Sequence, residues 1–69
     1  MDGRNTTTFP QDALHRLQSE YREMPGLALT ASQAARLVAT PARDTLGALE
    51  GLVQTGFLRR SEVGLYLRA

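Results

Sequence analysis

Apolar residues recur along the chain at helical spacing in three places, then gather into two short segments around a glycine-containing turn. Leu14, Leu17, Tyr21 and Met24, with Ala13 beside them, return every three or four positions, and Asp12, His15, Ser19 and Glu23 fall opposite. The spacing predicts an amphipathic helix starting near Phe9 or Pro10. Thr8 is its expected cap, Gln11 stands in capping-box position, and Pro10 suits the first turn. Asp12 and Arg16 make an i,i+4 pair on the polar side. Met24-Pro25-Gly26 ends the helix, because the residue before proline resists the α region and glycine permits a turn.

Leu27-Ala28-Leu29 is a strand-sized apolar piece that needs a sheet to join. A second helix follows, capped by Thr30 with Gln33 completing the capping box. Ala31, Ala34, Leu37 and Val38 form its expected buried stripe, with Ser32, Gln33 and Arg36 outside, and it breaks near Ala39. A third helix is expected to take Thr40 as N-cap and Pro41 as first helical residue. Leu46, Leu49, Leu52 and Val53 share one face with Ala42 and Thr45, and Gly56 stands where a left-handed cap is wanted. Phe57-Leu58-Arg59-Arg60, a turn at Ser61-Glu62-Val63-Gly64, and Leu65-Tyr66-Leu67-Arg68 read as a β-hairpin.

The order of these elements predicts the fold. A short capped helix, a break and a longer helix make a helix-turn-helix. The strand before it and the hairpin after it make the winged variety. The expected class is therefore mainly α with a small β-hairpin (α+β): three helices plus a two- or three-stranded C-terminal wing. Residues 9–69 form one domain, and residues 1–8 read as a flexible tail in which Arg4 is a potential phosphate contact.

Composition narrows the chemistry. The chain has 69 residues and no cysteine, so disulfides and thiolate metal sites are excluded. One histidine, His15, on a polar face reads as a surface residue, and no metal is expected. No nucleophile–base–orienter grouping, phosphate loop or paired acid motif is present, so neither an enzyme nor a cofactor or small-molecule site is expected. No apolar run is long enough to span a bilayer, and residues 1–8 lack the apolar region of a secretory signal, so a cytoplasmic protein is expected. Every basic residue is arginine, as in a high-GC genome, yet the net charge is only +1. Tyr21 and Tyr66 are expected to pack their rings and expose their hydroxyls.

From Leu14 to Ala69 the sequence resembles the winged helix-turn-helix domains of bacterial regulators, especially the IclR type and more loosely the MarR type. The resemblance is carried by Leu29-Thr30-Ala31-Ser32-Gln33-Ala34-Ala35-Arg36-Leu37, by Thr40-Pro41-Ala42-Arg43-Asp44-Thr45, by Leu49 through Arg60, and by Gly64-Leu65-Tyr66-Leu67-Arg68. It implies a transcriptional regulator binding double-stranded DNA, with the third helix in the major groove. Thr40, Arg43, Asp44 and Gly47 would then face base edges. Thr30, Ser32 or Gln33 would touch phosphate at the start of the second helix. Arg59, Arg60 and Arg68 of the wing would meet the backbone or minor groove. Homodimerisation would add stability to so small a chain and double a weak electrostatic footprint.

One surface points elsewhere. At about 100° per residue, Arg43, Asp44, Gly47, Glu50, Gly51 and Gln54 lie opposite the leucine stripe of the third helix. Two carboxylates repel phosphates, and Gly47 with Gly51 forms a flat strip that admits another backbone. The alternative is thus a winged-helix protein-interaction module that binds a protein partner through the Gly47/Gly51 face and no nucleic acid.

Overall fold

A computed structural model describes residues 10–69. The tail, the Arg4 contact and the Thr8 cap lie outside the described residues. Helix α1 runs Pro10–Glu23, and strand β1 spans Ala28–Leu29. Helices α2 and α3 occupy Ala31–Val38 and Ala42–Gln54, and strands β2 and β3 occupy Leu58–Arg60 and Tyr66–Arg68. The strands form one antiparallel sheet in the order β1-β3-β2. Two-residue β1 is stable because it borrows β3: Ala28 lies opposite Leu67, and Leu29 opposite Tyr66. On the other side of β3, Leu58, Arg59 and Arg60 face Arg68, Leu67 and Tyr66. Three helices with this small sheet are the layout of a winged helix-turn-helix.

The helix boundaries follow local chemistry. Thr30 caps α2 in a full capping box: its Oγ1 accepts from Gln33 N at 3.1 Å, and Gln33 Oε1 accepts from Thr30 N at 3.0 Å. Helix α3 departs from expectation at its start. Pro41 is the N-cap, its carbonyl accepting the first helical bond from Thr45 N at 2.9 Å. Thr40 is buried one residue further out. Its hydroxyl donates back to Val38 O at 3.0 Å, while its carbonyl accepts from Thr45 Oγ1 at 3.3 Å. A threonine drawn into the turn in this way cannot also point its oxygen at the next helix.

Both later helices end in the same motif. After α3, Gly56 adopts φ +84°, its N–H donates to Val53 O, and Phe57 N donates to Leu52 O, each at 3.0 Å. These are the paired bonds of a Schellman cap. After α2, Thr40 N donates to Ala35 O at 3.1 Å and Ala39 N to Arg36 O at 3.3 Å, with Ala39 at φ 51°. There an alanine holds the left-handed position that glycine normally fills, at a cost of about 1–2 kcal/mol. Ala39→Gly is expected to raise stability by about 1 kcal/mol, or about 4–8 °C in a domain of this size. An unchanged or lower thermal midpoint by circular dichroism would contradict that origin of strain.

The core is drawn from every element except β1: Ala13, Leu17 and Tyr21 of α1, Ala34 and Val38 of α2, Ala48, Leu49 and Leu52 of α3, Leu58 of β2 and Tyr66 of β3. Leu29, Leu14 and Val53 pack at its margin. Four residues expected in the core are out of place, exposed Ala42 among them. Met24, Leu37 and Leu46 are 49%, 40% and 43% exposed. On α3 the buried set is Thr45, Ala48, Leu49 and Leu52, an i, i+3, i+4, i+7 stripe that leaves Leu46 at its edge. Thr45 is admitted because its hydroxyl is bonded to Thr40 O. Leu37 is displaced on α2 because Ala34 and Val38 define the inward line. Met24 lies just past the last turn of α1.

Tyr21 joins the helices to the sheet. Its ring is fully buried, and its hydroxyl donates to Tyr66 O on β3 at 2.6 Å. That hydroxyl is therefore not exposed as expected. Arg16 makes a second tie between elements, its Nη1 donating to Val38 O at 3.2 Å at the end of α2.

Candidate nucleic-acid interface

Helix α3 presents a different surface from the one expected. Arg43 and Gly47 are exposed, as is Gln54. So are Ala42 and Leu46, which were assigned to the core. Asp44, Glu50 and Gly51 are only half-exposed. Because residues three and four apart are neighbours on a helix, Ala42, Arg43, Leu46 and Gly47 form one contiguous patch at the N-terminal half of α3. That patch carries one cation, Arg43, and is bordered by the half-exposed carboxylates of Asp44 and Glu50.

Of the two half-exposed carboxylates, Glu50 is engaged within the molecule. Glu50 Oε2 accepts the Tyr66 hydroxyl at 2.7 Å and pairs with Arg60 Nη1 at 3.5 Å. Burial raises the Tyr66 phenol above its usual range, the bonded carboxylate adds to the rise, and Arg60 pulls the other way. The Tyr66 hydroxyl is thus also committed within the molecule rather than exposed.

The glycine strip is divided as well. A methyl group on Gly51 would stand 3.4 Å from Leu14 Cδ1, so α1 itself covers that position. Gly47 has open space before it.

At the start of α2, Ser32 and Gln33 are exposed and Thr30 is half-buried. Thr30 Oγ1 and Gln33 Oε1 serve the cap. The groups left to face an anion are the Ser32 hydroxyl, the Gln33 amide N–H and backbone N–H groups of the first turn. Thr40 is buried and bonded, and reaches no outer surface.

The three wing arginines have three different settings. Arg59 is exposed and lies opposite Leu67, on the face of β2 away from Leu58 and Arg60. Arg60 faces α3 and Glu50. Arg68 lies at the base of the hairpin, across from Leu58, with its guanidinium 4.1 Å from the centre of the Phe57 ring. Its Nε is buried without an acceptor among the described residues. The ring face offsets part of that cost. Arg22 of α1 stands 5.9 Å from the same ring. No local spacing in the sequence encodes the Arg68–Phe57 stack or the Glu50 contacts, since both join residues ten or more positions apart.

Among the described residues no helix is long and apolar enough to cross a membrane. Comparison of the chain with protein-family models, with curated protein sequences and with solved structures returned no match.

Proposed function

We propose that this chain is a duplex-DNA-binding module of a bacterial transcriptional regulator, as its likeness to IclR-type and, more loosely, MarR-type domains implies, and that it acts as a homodimer. The observation that carries this reading is the exposed Arg43 on the N-terminal half of α3. Arg43 stands there beside Gly47, where a nucleic-acid backbone can approach, while Glu50 is satisfied internally. In this reading Arg43 meets a base edge or phosphate, Ser32 and Gln33 meet phosphate at the start of α2, and Arg59 reaches the backbone from the wing. Asp44 flanks the patch and selects against close phosphates there. The interaction-module alternative draws on the near-neutral charge, on the carboxylates of α3 and on two glycines, of which Gly51 stands against Leu14 and Gly47 is open.

The test is a fluorescence-anisotropy titration of a labelled random-sequence duplex across a range of salt. Wild-type protein is expected to bind more weakly as salt rises. Arg59→Ala should lower the log–log slope by about 0.9, one phosphate contact. Arg43→Ala should weaken binding by about 1–3 kcal/mol if it makes a bidentate guanine contact. Absence of duplex affinity at low salt would refute the reading.

A further inference from the structure

Arg59 and Arg60 are adjacent and alike in sequence, but the fold gives them different neighbours. Arg59 points away from the body of the domain, and Arg60 points at a carboxylate. Glu50 Oε2 receives two donors, the Tyr66 hydroxyl at 2.7 Å and Arg60 Nη1 at 3.5 Å. Both donors come from the wing, where Arg60 and Tyr66 are cross-strand partners. A hydroxyl and a guanidinium converging on one anionic oxygen is the donor set with which proteins grip a phosphate. Here the protein supplies the anion.

The two bonds differ in kind. Tyr66 is buried and its bond is short, so that contact fixes the angle of the wing. The Arg60 pair is long, with side chains 60% and 44% exposed, and a pair so open to water is weak and exchangeable. The acceptor therefore holds the wing firmly through one donor and occupies the other only loosely.

We propose that Glu50 is an internal counter-anion: it positions the wing against α3 through Tyr66 and competes with phosphate for Arg60, leaving Arg59 as the uncontested cation of the wing. The masking half rests on the duplex-binding reading; the positional half does not. Glu50 is on this view a positioning residue that sets how many phosphates the wing engages. It also explains how a carboxylate on α3 is compatible with an anionic ligand.

Glu50→Gln keeps an oxygen for Tyr66 and removes the charge that holds Arg60. In the same duplex titration, Glu50→Gln is expected to bind more tightly, with a slope steeper by about 0.9, which amounts to roughly a 3.5-fold greater loss of affinity between about 50 and 200 mM salt. Arg60→Ala should change little in the wild-type background and should cancel the gain in Glu50→Gln. Arg59→Ala should weaken binding in both. A purely structural role for Glu50 would move the melting temperature without moving the slope. The proposal is overturned if Arg60→Ala costs the wild type as much as Arg59→Ala does, or if Glu50→Gln binds duplex with an unchanged slope. If the wild type binds no duplex, the function reading fails, and the masking half fails with it. The positional half is then decided by NMR of the Tyr66 ring: its resonances should shift in Glu50→Ala, which removes the acceptor, and stay near wild type in Glu50→Gln, which keeps it, and resonances unmoved in both overturn that half. The Arg60 contact is read separately from the arginine side-chain N–H groups: Glu50→Gln should move the Arg60 resonance toward that of exposed Arg59, and an unmoved resonance overturns the contact.

Discussion

Tyr21→Ala is expected to remove cooperative folding at physiological temperature. The substitution empties a fully buried ring site and deletes the 2.6 Å bond to Tyr66 O that couples α1 to the central strand. Aromatic-to-alanine changes in cores cost about 3–5 kcal/mol, whereas a chain this short has a total stability of about 3–10 kcal/mol. A fall in thermal midpoint of at least about 12 °C, or no cooperative transition, is the expected outcome by circular dichroism. Tyr21→Phe isolates the hydroxyl and should cost about 1–2 kcal/mol. The same residue predicts alkaline lability. Burial pushes the Tyr21 phenol up to about 12, against 10.0 unperturbed. Its contribution is fully present below about pH 10 and is lost as pH rises through about 12, because the unfolded chain releases the proton first. Stability should fall in that window by up to about 1.4 kcal/mol per pH unit from this group. Tyr66, also raised, acts in the same direction. Tyr21→Phe should show a shallower alkaline limb in denaturant titrations. A limb as steep as wild type would mean that Tyr21 is not the group responsible.

The largest stabilising effect is expected from Gly47→Ala with Gly51→Ala. Each glycine inside a helix costs about 1 kcal/mol relative to alanine. A methyl group on Gly47 meets nothing, and one on Gly51 reaches ordinary contact with Leu14 Cδ1 at 3.4 Å. The double variant should gain about 1.5–2 kcal/mol, raising the midpoint by about 6–16 °C. Gly51→Leu should forfeit its share, since a longer side chain runs into Leu14. The two sites should differ in binding. Gly47→Ala is expected to weaken duplex affinity while stabilising the fold, and Gly51→Ala to leave affinity unchanged. Calorimetry with anisotropy on the same samples separates the cases. If Gly47→Ala stabilises and binds duplex as wild type does, that glycine is no part of the contact surface.

The elements were legible because their ends are written in short-range chemistry. Thr30 with Gln33, Gly56, and Met24-Pro25-Gly26 act within a few residues of themselves, and the fold uses each of them. The faces were less legible. Leu46, Leu37 and Met24 are apolar like Leu49, but a stripe is chosen by what packs against it; Thr45 kept its expected place in the core, where its hydroxyl finds a carbonyl at 3.3 Å. Pro41 took the N-cap place expected of Thr40 because the tight turn after Ala39 drew the threonine inward. Least legible were the partners of Arg60, Arg68 and Glu50. Their contacts join α3 to the hairpin, or the ends of the hairpin to one another, and no local spacing encodes them.

The order β1-β3-β2 leaves two strands with an unpaired side. One, β1, is two residues long, too short to template another strand. The other, β2, carries Arg59 and Arg60. Like charges brought together at a strand edge discourage a second copy from extending the sheet. The wing arginines thus have a duty unrelated to any ligand, as guards against aggregation. Exchanging both for valine would trade a soluble margin for an adhesive one, even in a domain whose helices remained intact.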